Sequence, residues 1–150
     1  MKKVVKLVMI IGTLASLVGC KNSSEIILNI ISMNDTHGAL IETHATAGLI
    51  KGSTYIESVR KENKKGTILL SAGDMYQGTA VSNMEYGNTM MECMNALKFD
   101  AMAVGNHEFD WGEQIIKNHH DGNKENGEAN YPYLACNIFY SKGNSDLTDD

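Results

Sequence analysis

The sequence predicts an α/β fold in which a largely parallel sheet carries polar loops at the carboxyl ends of its strands. Short apolar runs alternate with amphipathic helical patterns, an order that is typical of βαβ units. Three of the apolar runs also end directly in polar clusters, at residues 34–38, 73–74 and 105–108. Because ligands bind beyond the carboxyl ends of the strands in open α/β sheets, we expect the three clusters to meet in one place.

Four apolar runs predict the strands, at residues 26–33, 67–72, 100–104 and 133–139. The first three are short and are bounded by Gly and Asn. Runs of this length and composition are typical of strands that are buried on both faces of a sheet. We therefore expect these strands to be covered on both sides.

Helical patterns occupy the segments between the strands. A first helix is predicted over residues 47–63, with Leu49, Ile56 and Val59 along its buried side. A third is predicted from Trp111 to about His120, because an Asp-Gly pair follows it as a stop signal. The polar, Gly-containing residues 121–130 then predict a surface loop.

The second helix is predicted to begin at Thr89, where Glu92 completes a capping-box pattern. Met90, Met94 and Leu97 lie along one side of this helix. Methionine is flexible and fills irregular gaps, so this side is expected to pack in an adaptable core.

The first nineteen residues differ from the rest of the chain. Three lysines precede a 12-residue apolar stretch from Leu7 to Val18. A span of the bilayer needs about 20 apolar residues, so the pattern predicts a secretory signal peptide at residues 1–19. Its end, Leu17-Val18-Gly19-Cys20, resembles a bacterial lipobox.

A lipobox implies that Cys20 becomes the lipidated first residue of the mature protein and holds it to a membrane. Residues 20–25 would then be the lipidated Cys and a short tether, and residues 26–150 the folded domain. The alternative is a plain signal peptide whose Cys is incidental. Of the other cysteines, Cys93 and Cys136 are expected to be two buried thiols rather than a disulfide.

Composition narrows the classes of partner. The chain is 43% apolar and 21% charged, which is ordinary for a globular domain. Removing residues 1–19 takes away three lysines and no acids, so 10 basic residues face 18 acidic ones and the formal charge becomes −8. A charge of this sign argues against a nucleic acid polymer as the main partner.

The polar clusters resemble the signature of the calcineurin-like metallophosphoesterases, in the order Asp35-x-His37, Gly73-Asp74 and Gly105-Asn106-His107-Glu108. The longer strings around them are most similar to the bacterial 5′-nucleotidase branch, which includes UDP-sugar hydrolases and 2′,3′-cyclic phosphodiesterases. The resemblance covers about residues 26–139. It implies a four-layer α-β-β-α sandwich with metal loops at the C-terminal ends of the strands.

The resemblance also implies a centre of two divalent ions, chosen from Zn, Mn, Mg, Fe and Co. Asp35 and His37 would ligate one ion, Asp74 would bridge both, and Asn106 would ligate the second. Taken singly, each Asp or Asn also fits an ordinary turn or cap residue. Taken together, the four residues favour a metal site, because burying carboxylates costs several kcal/mol unless cations compensate their charge.

In this family His107 would be a catalytic histidine over the phosphate rather than a ligand, and Asp110 would be its partner. As an imidazolium it would stabilise charge in the transition state or protonate the leaving oxygen. Asp110 alternatively fits the N-cap of the third helix, with Glu113 completing a capping box. The histidines outside the motifs are expected to be exposed to solvent, namely His44, His119 and His120.

The family completes its centre with later histidines, including a Gly-His-x-His cluster, which are not found before Asp150. We interpret the chain as the N-terminal part of an exported, lipid-anchored hydrolase whose metal-activated water attacks the phosphorus of a nucleotide or nucleotide sugar. We expect this part alone to be inactive. The alternative is a degenerate surface lipoprotein that acts only as a weak metal-binding or interaction module.

Overall fold

One parallel sheet organises residues 25–140 and 147–149, the part of the chain that the computed structural model describes. Its strands lie in sequence order: β1 (Asn29–Met33), β2 (Thr67–Ser71), β3 (Ala101–Ala103) and β4 (Tyr133–Leu134). All three pairings are parallel, so the four carboxyl ends lie at the same edge of the sheet. The predicted α/β class with a parallel sheet is confirmed.

The remaining elements connect or follow these strands. The helices are α1 (Gly48–Glu62), α2 (Ala80–Asn83), α3 (Asn88–Leu97) and α4 (Glu113–Asn118), and a short 3-10 helix spans His107–Phe109. A separate antiparallel ladder pairs β5 (Ile138–Tyr140) with β6 (Leu147–Asp149). The predicted signal peptide and Cys20 lie outside the described residues. Among those residues, no helix is long and apolar enough to cross a membrane.

The core lies between the sheet and the helices. In α1 the predicted side is confirmed, because Leu49 and Ile56 are fully buried and Val59 is half-buried. The methionine-rich core is confirmed as well. Five methionines are almost completely inaccessible to solvent: Met75, Met90, Met91, Met94 and Met102.

The predicted start of the second helix is wrong. The helix begins at Asn88, one residue earlier than expected, and the preceding Gly87 has a left-handed conformation with φ of 86°. Thr89 therefore lies inside the helix, where its hydroxyl donates to Glu85 Oε2 at 2.7 Å. No capping box forms, because Gly87 occupies the N-cap position that Thr89 was predicted to have.

The third helix is shorter than predicted, since α4 covers only Glu113–Asn118. Gly112 precedes it with φ of 86°, so the chain enters the helix after this residue rather than at Trp111. The polar loop that follows is confirmed. It is organised by Asp121, whose Oδ1 accepts from the Asn123 backbone N–H at 2.7 Å.

The prediction that the first strand is buried on both faces is wrong for β1. The strand begins at Asn29, which pairs with Thr67, the first residue of β2. Residues 26–28 have no strand partner in β2 and are exposed, and Ile30 is 62% exposed. β1 is an edge strand, and within the described residues one of its faces has no helix over it.

The fourth predicted strand is two separate elements. β4 ends at Leu134 because β3 offers only Met102 and Ala103 for pairing. The chain then leaves the sheet and pairs again as β5 with β6. Cys136 lies in this break and is exposed, so the expectation that its thiol is buried is wrong. Cys93 is half-buried, and neither cysteine forms a disulfide.

Several polar side chains form one buried hydrogen-bonded network, which we call the tyrosine–histidine cluster. Its members are Asn88, His119 and three tyrosines, Tyr76, Tyr131 and Tyr133. His119 is 1% exposed, which contradicts the prediction of a solvent-exposed histidine. Its ring is held at the end of α4 by Tyr133 and Asn88. His44 and His120 are exposed, as predicted.

Candidate metal centre

Three loops leave the same edge of the sheet and carry the predicted site residues. They follow β1, β2 and β3. Among the described non-glycine residues with positive φ are three predicted ligands, Asp35 (51°), His37 (47°) and Asp74 (55°). A left-handed conformation is costly for residues other than glycine and persists where the surrounding structure imposes it. The loops therefore hold these side chains in specific directions.

Backbone hydrogen bonds join the first loop to the second. The Asp35 N–H donates to Gly73 O at 3.1 Å, and the His37 N–H donates to Asp74 O at 3.1 Å. The Gly38 N–H donates to Met75 O at 2.8 Å. These three bonds join the main chains of the two loops directly.

Side chains join the second loop to the third. The carboxylate of Glu108 accepts from the backbone N–H groups of Asp74 at 2.9 Å, Met75 at 2.8 Å and Gly105 at 2.8 Å. In return, Asp74 Oδ1 accepts from the His107 N–H at 2.9 Å. Glu108 is 2% exposed, and this burial raises the pKa of its carboxyl against the opposing effect of the three N–H donors.

The loops bring His37, Asp74 and His107 together. One potential ligand atom from each residue lies within 4.8 Å of the other two, and the two imidazole centroids are 5.1 Å apart. Nδ1 of His37 lies 3.0 Å from the carbonyl oxygen of Gln77, so it carries the proton and leaves Nε2 free. A carbonyl that fixes the tautomer in this way is typical of metal-binding histidines.

The other two predicted ligands lie beside this group. Asp35 is exposed, and its Oδ1 is 3.9 Å from His37 Nε2. The side-chain amide of Asn34 donates to the other carboxylate oxygen. Asn106 is exposed and immediately precedes His107, at the start of the short 3-10 helix. All the predicted site residues within the described chain thus belong to loops at one edge of the sheet.

His107 and Asp110 are in contact, with Nδ1 and Oδ2 2.8 Å apart. The alternative interpretation of Asp110 as the N-cap of the third helix is wrong, since Gly112 occupies that position. The hydrogen bond that the His107 ring donates to Asp110 is the main cause that raises the pKa of His107, and the charges of Asp110, Asp74 and Glu108 act in the same direction. Desolvation opposes them.

The match to known proteins decides the family. Residues 28–149 match the family description "Calcineurin-like phosphoesterase". The chain belongs to this family. It is 34% identical over 126 residues to the snake venom 5′-nucleotidase of Crotalus adamanteus and 33% identical over 116 residues to Protein UshA of Salmonella pullorum. These alignments cover 74% and 75% of the chain but only 20% of each relative.

Solved structures give the same result for this calcineurin-like phosphoesterase chain. The Haemophilus influenzae NAD nucleotidase NadN superposes with a TM-score of 0.62 at 28% identity, over 79% of this chain and 22% of NadN. The calcineurin-like phosphoesterase YfkN of Bacillus subtilis superposes with a TM-score of 0.62 at 26% identity, over 81% and 40%. The chain spans about a fifth of the curated relatives described above.

The donor set fits the divalent metals that this family uses. Imidazole nitrogens and carboxylate oxygens are the ligands that Zn, Mn, Fe and Co accept together. His37 offers Nε2 and Asp74 offers a carboxylate, both in loops held by hydrogen bonds from neighbouring backbone. The group also includes His107, for which the sequence predicted a catalytic role.

Two features of the site are missing from the sequence-based prediction. Glu108 belongs to the third motif, yet no role was assigned to it. A carboxylate three residues after Gly105 and directly after His107 is the signal that could have indicated it. The tyrosine–histidine cluster gave no such signal, because its members are scattered from Tyr76 to Tyr133.

Proposed function

We propose that the chain is part of an exported, lipid-anchored metallohydrolase of the 5′-nucleotidase type, which cleaves phosphoesters of nucleotides. The observation that carries this proposal is the convergence of His37, Asp74 and His107 at the carboxyl edge of the sheet. Relatives named 5′-nucleotidase and NAD nucleotidase support a nucleotide as the substrate.

The proposed metal ligands are the four predicted from the sequence. Asp35 and His37 would hold one divalent ion, Asp74 would contact both, and Asn106 would hold the second. When bound, the ions supply a water of lowered pKa that acts as the nucleophile at phosphorus. His37 contributes Nε2 because its Nδ1 proton is bonded to the carbonyl of Gln77.

His107 is the proposed acid catalyst. With Nδ1 bonded to Asp110, Nε2 is the ring nitrogen that remains to act on the substrate. A proton held there is transferred to the leaving oxygen of the ester, or its charge stabilises the transition state. Asp110 fixes the orientation of the ring and favours its protonated form, in agreement with the raised pKa of His107.

The proposed domain organisation follows the chain. Residues 1–19 are a signal peptide, residues 20–25 contain the lipidated Cys20 and a short tether, and residues 26–150 belong to the phosphoesterase domain. Metabolic labelling with a fatty acid tests the anchor directly. We expect label on the parent protein and none on Cys20→Ser. An unlabelled parent protein would contradict the anchor without affecting the hydrolase proposal.

The hydrolysis assay uses the natural protein, purified from the organism that produces it. The assay measures release of product from AMP, UDP-glucose and bis-p-nitrophenyl phosphate at several Mn²⁺ concentrations. We expect metal-dependent turnover, reduced by about 10²- to 10⁴-fold in His107→Ala because a general acid is lost. Cleavage of the synthetic diester alone would contradict the nucleotide substrate, and bound metal without turnover would favour an interaction module.

The ligand roles are tested by metal content. Asp74→Asn should remove more metal and more activity than Asn106→Ala, because Asp74 contacts both ions and Asn106 only one. Elemental analysis of the two variants and the parent protein measures the difference. An unchanged metal content in Asp74→Asn would contradict the bridging role.

A further inference from the structure

Glu108 differs from the other acidic groups of the site. Asp35 and Asp110 are exposed, whereas Glu108 is almost completely buried. A buried carboxylate loses several kcal/mol of hydration, which only strong partners offset. Its partners here are three backbone N–H groups, from two residues of the second loop and one of the third. The cost of burying the Glu108 carboxylate is thus offset only while both loops keep their positions.

The space around Glu108 is filled. A Cβ atom built on Gly105 would lie 2.9 Å from Glu108 Oε2 and 2.3 Å from Asp74 Oδ1, closer than real Cβ atoms approach other atoms. Gly105 therefore has to be glycine for the two carboxylates to pack against the third loop. This close packing leaves little freedom in the distance between Asp74 and His107.

We infer that Glu108 is a positioning residue that sets the separation of Asp74 and His107, and with it the metal affinity of the centre. This inference rests on the proposed metal site. Glu108 itself contacts neither metal nor substrate. It acts through the backbone of Asp74 and Gly105, while Asp74 in turn accepts from the backbone of His107.

The chemistry of the three bonds requires a carboxylate. Oε2 accepts from Asp74 and Gly105, and Oε1 accepts from Met75. In Glu108→Gln one of the two oxygens becomes an NH₂ group, which donates and cannot accept. At least one backbone N–H then faces another donor. The variant keeps the shape of the side chain and weakens the connection between the loops, because at least one of the three bonds is replaced by a contact between two donors.

The first experiment measures Mn²⁺ binding to the full chain by the EPR signal of the free ion. We expect Glu108→Gln to weaken binding by about 10- to 100-fold, which is typical when a residue that supports metal ligands is lost. The matched control is Asp100→Asn. Asp100 Oδ2 also accepts from a backbone N–H, that of Leu69 at 2.8 Å, but at the opposite edge of the sheet.

Both variants replace a carboxylate that accepts from the backbone, but Asp100 is exposed and accepts from one N–H, whereas Glu108 is buried and accepts from three. The Mn²⁺ affinities are therefore compared together with the stabilities. Equal weakening of Mn²⁺ binding in Glu108→Gln and Asp100→Asn would overturn the inference, as would an affinity of Glu108→Gln within twofold of the parent. Unfolding by urea is measured for both variants. If Glu108→Gln does not fold, the second experiment decides.

The second experiment uses the unaltered, metal-free chain and follows backbone amide exchange by NMR. We expect the N–H groups of Asp74, Met75 and Gly105 to exchange slowly, because the Glu108 carboxylate holds them without any ion. Rapid exchange at all three would overturn the inference. Slow exchange in a chain that binds no Mn²⁺ would instead contradict the proposed metal site, so failure of the two proposals is distinguishable.

Discussion

His107 and His119, which are 12 residues apart in the sequence, lie in environments that are opposite in character. His107 belongs to the loop after β3, where the hydrogen bond that its ring donates to Asp110 raises its pKa. His119 belongs to the buried tyrosine–histidine cluster, where burial lowers its pKa to about 4. The first environment thus favours the charged ring more than water does, whereas the second favours the neutral ring.

The difference comes from the partners of each ring. His107 has a carboxylate on Nδ1, which stabilises the imidazolium. His119 has neutral partners, the Tyr133 hydroxyl at 2.9 Å and Asn88 Oδ1 at 3.1 Å. Since an amide oxygen only accepts, Nε2 of His119 carries the proton and Nδ1 accepts from Tyr133. Both nitrogens of the neutral His119 ring thus have hydrogen-bond partners, so the ring can support the fold without carrying a charge.

The largest effect that the comparison predicts is on stability. His119→Ala leaves a cavity and two unpaired polar groups, so we expect it to lower the free energy of unfolding by about 3 to 5 kcal/mol. The exposed His44 is the matched control, and His44→Ala should change stability by less than about 0.5 kcal/mol. Urea unfolding of the metal-free chain measures both. Equal effects would show that the buried histidine does not support the fold.

The next effect is the pH dependence of stability. The pKa of His119 is about 4 in the folded chain and about 6.5 when unfolded, so the unfolded chain binds more protons between these values. Stability is therefore present above pH 6.5 and decreases by about 3 kcal/mol as the pH falls to 4. His119→Gln cannot titrate, and the difference in stability between it and the parent isolates this contribution. A difference that does not vary with pH would contradict the buried neutral ring.

These two regions also show how far the sequence predicts the fold. Apolar runs followed by polar clusters predicted the parallel sheet and placed Asp35, Asp74 and Asn106 on loops at one edge. The positions of helix ends were less accurate, because Gly87 and Gly112 adopt positive φ and move the start of each helix. A short pattern does not reveal which glycine takes that conformation.

The burial of single polar residues was the other limit. His119 lies next to an exposed histidine, in a polar stretch, and its partners are 31 residues before it and 14 after it. Such a network depends on tertiary packing, which local patterns do not encode. Glu108 was visible in its motif, but its function depends on backbone groups of a different loop. The sequence thus predicted the exposed members of the site better than its buried supports.

Removing one hydroxyl group of the tyrosine–histidine cluster should have a smaller effect on stability. Tyr133 bonds both His119 and Tyr76. Tyr133→Phe keeps the ring and removes these bonds, so we expect it to cost about 1 kcal/mol of unfolding free energy. Tyr55, which is 65% exposed, provides the matched control Tyr55→Phe. If the two variants unfold at the same urea concentration, the hydroxyl network contributes nothing measurable.

The smallest effect on stability, and the most specific one, is expected in the open region. Asp110→Asn replaces the carboxylate on His107 with a neutral amide, so the pKa of His107 should fall towards its ordinary value. Because more than a third of each side chain is exposed, solvent screens the pair and stability should change little. NMR titration of the His107 ring in the metal-free chain measures the pKa.

The control is Asp121→Asn, which removes a carboxylate that bonds only within the polar loop. A fall in the His107 pKa in Asp110→Asn, with no change in Asp121→Asn, would show that Asp110 sets its protonation. An unchanged pKa in both variants would contradict the pairing, and the two histidine environments would then differ through burial alone.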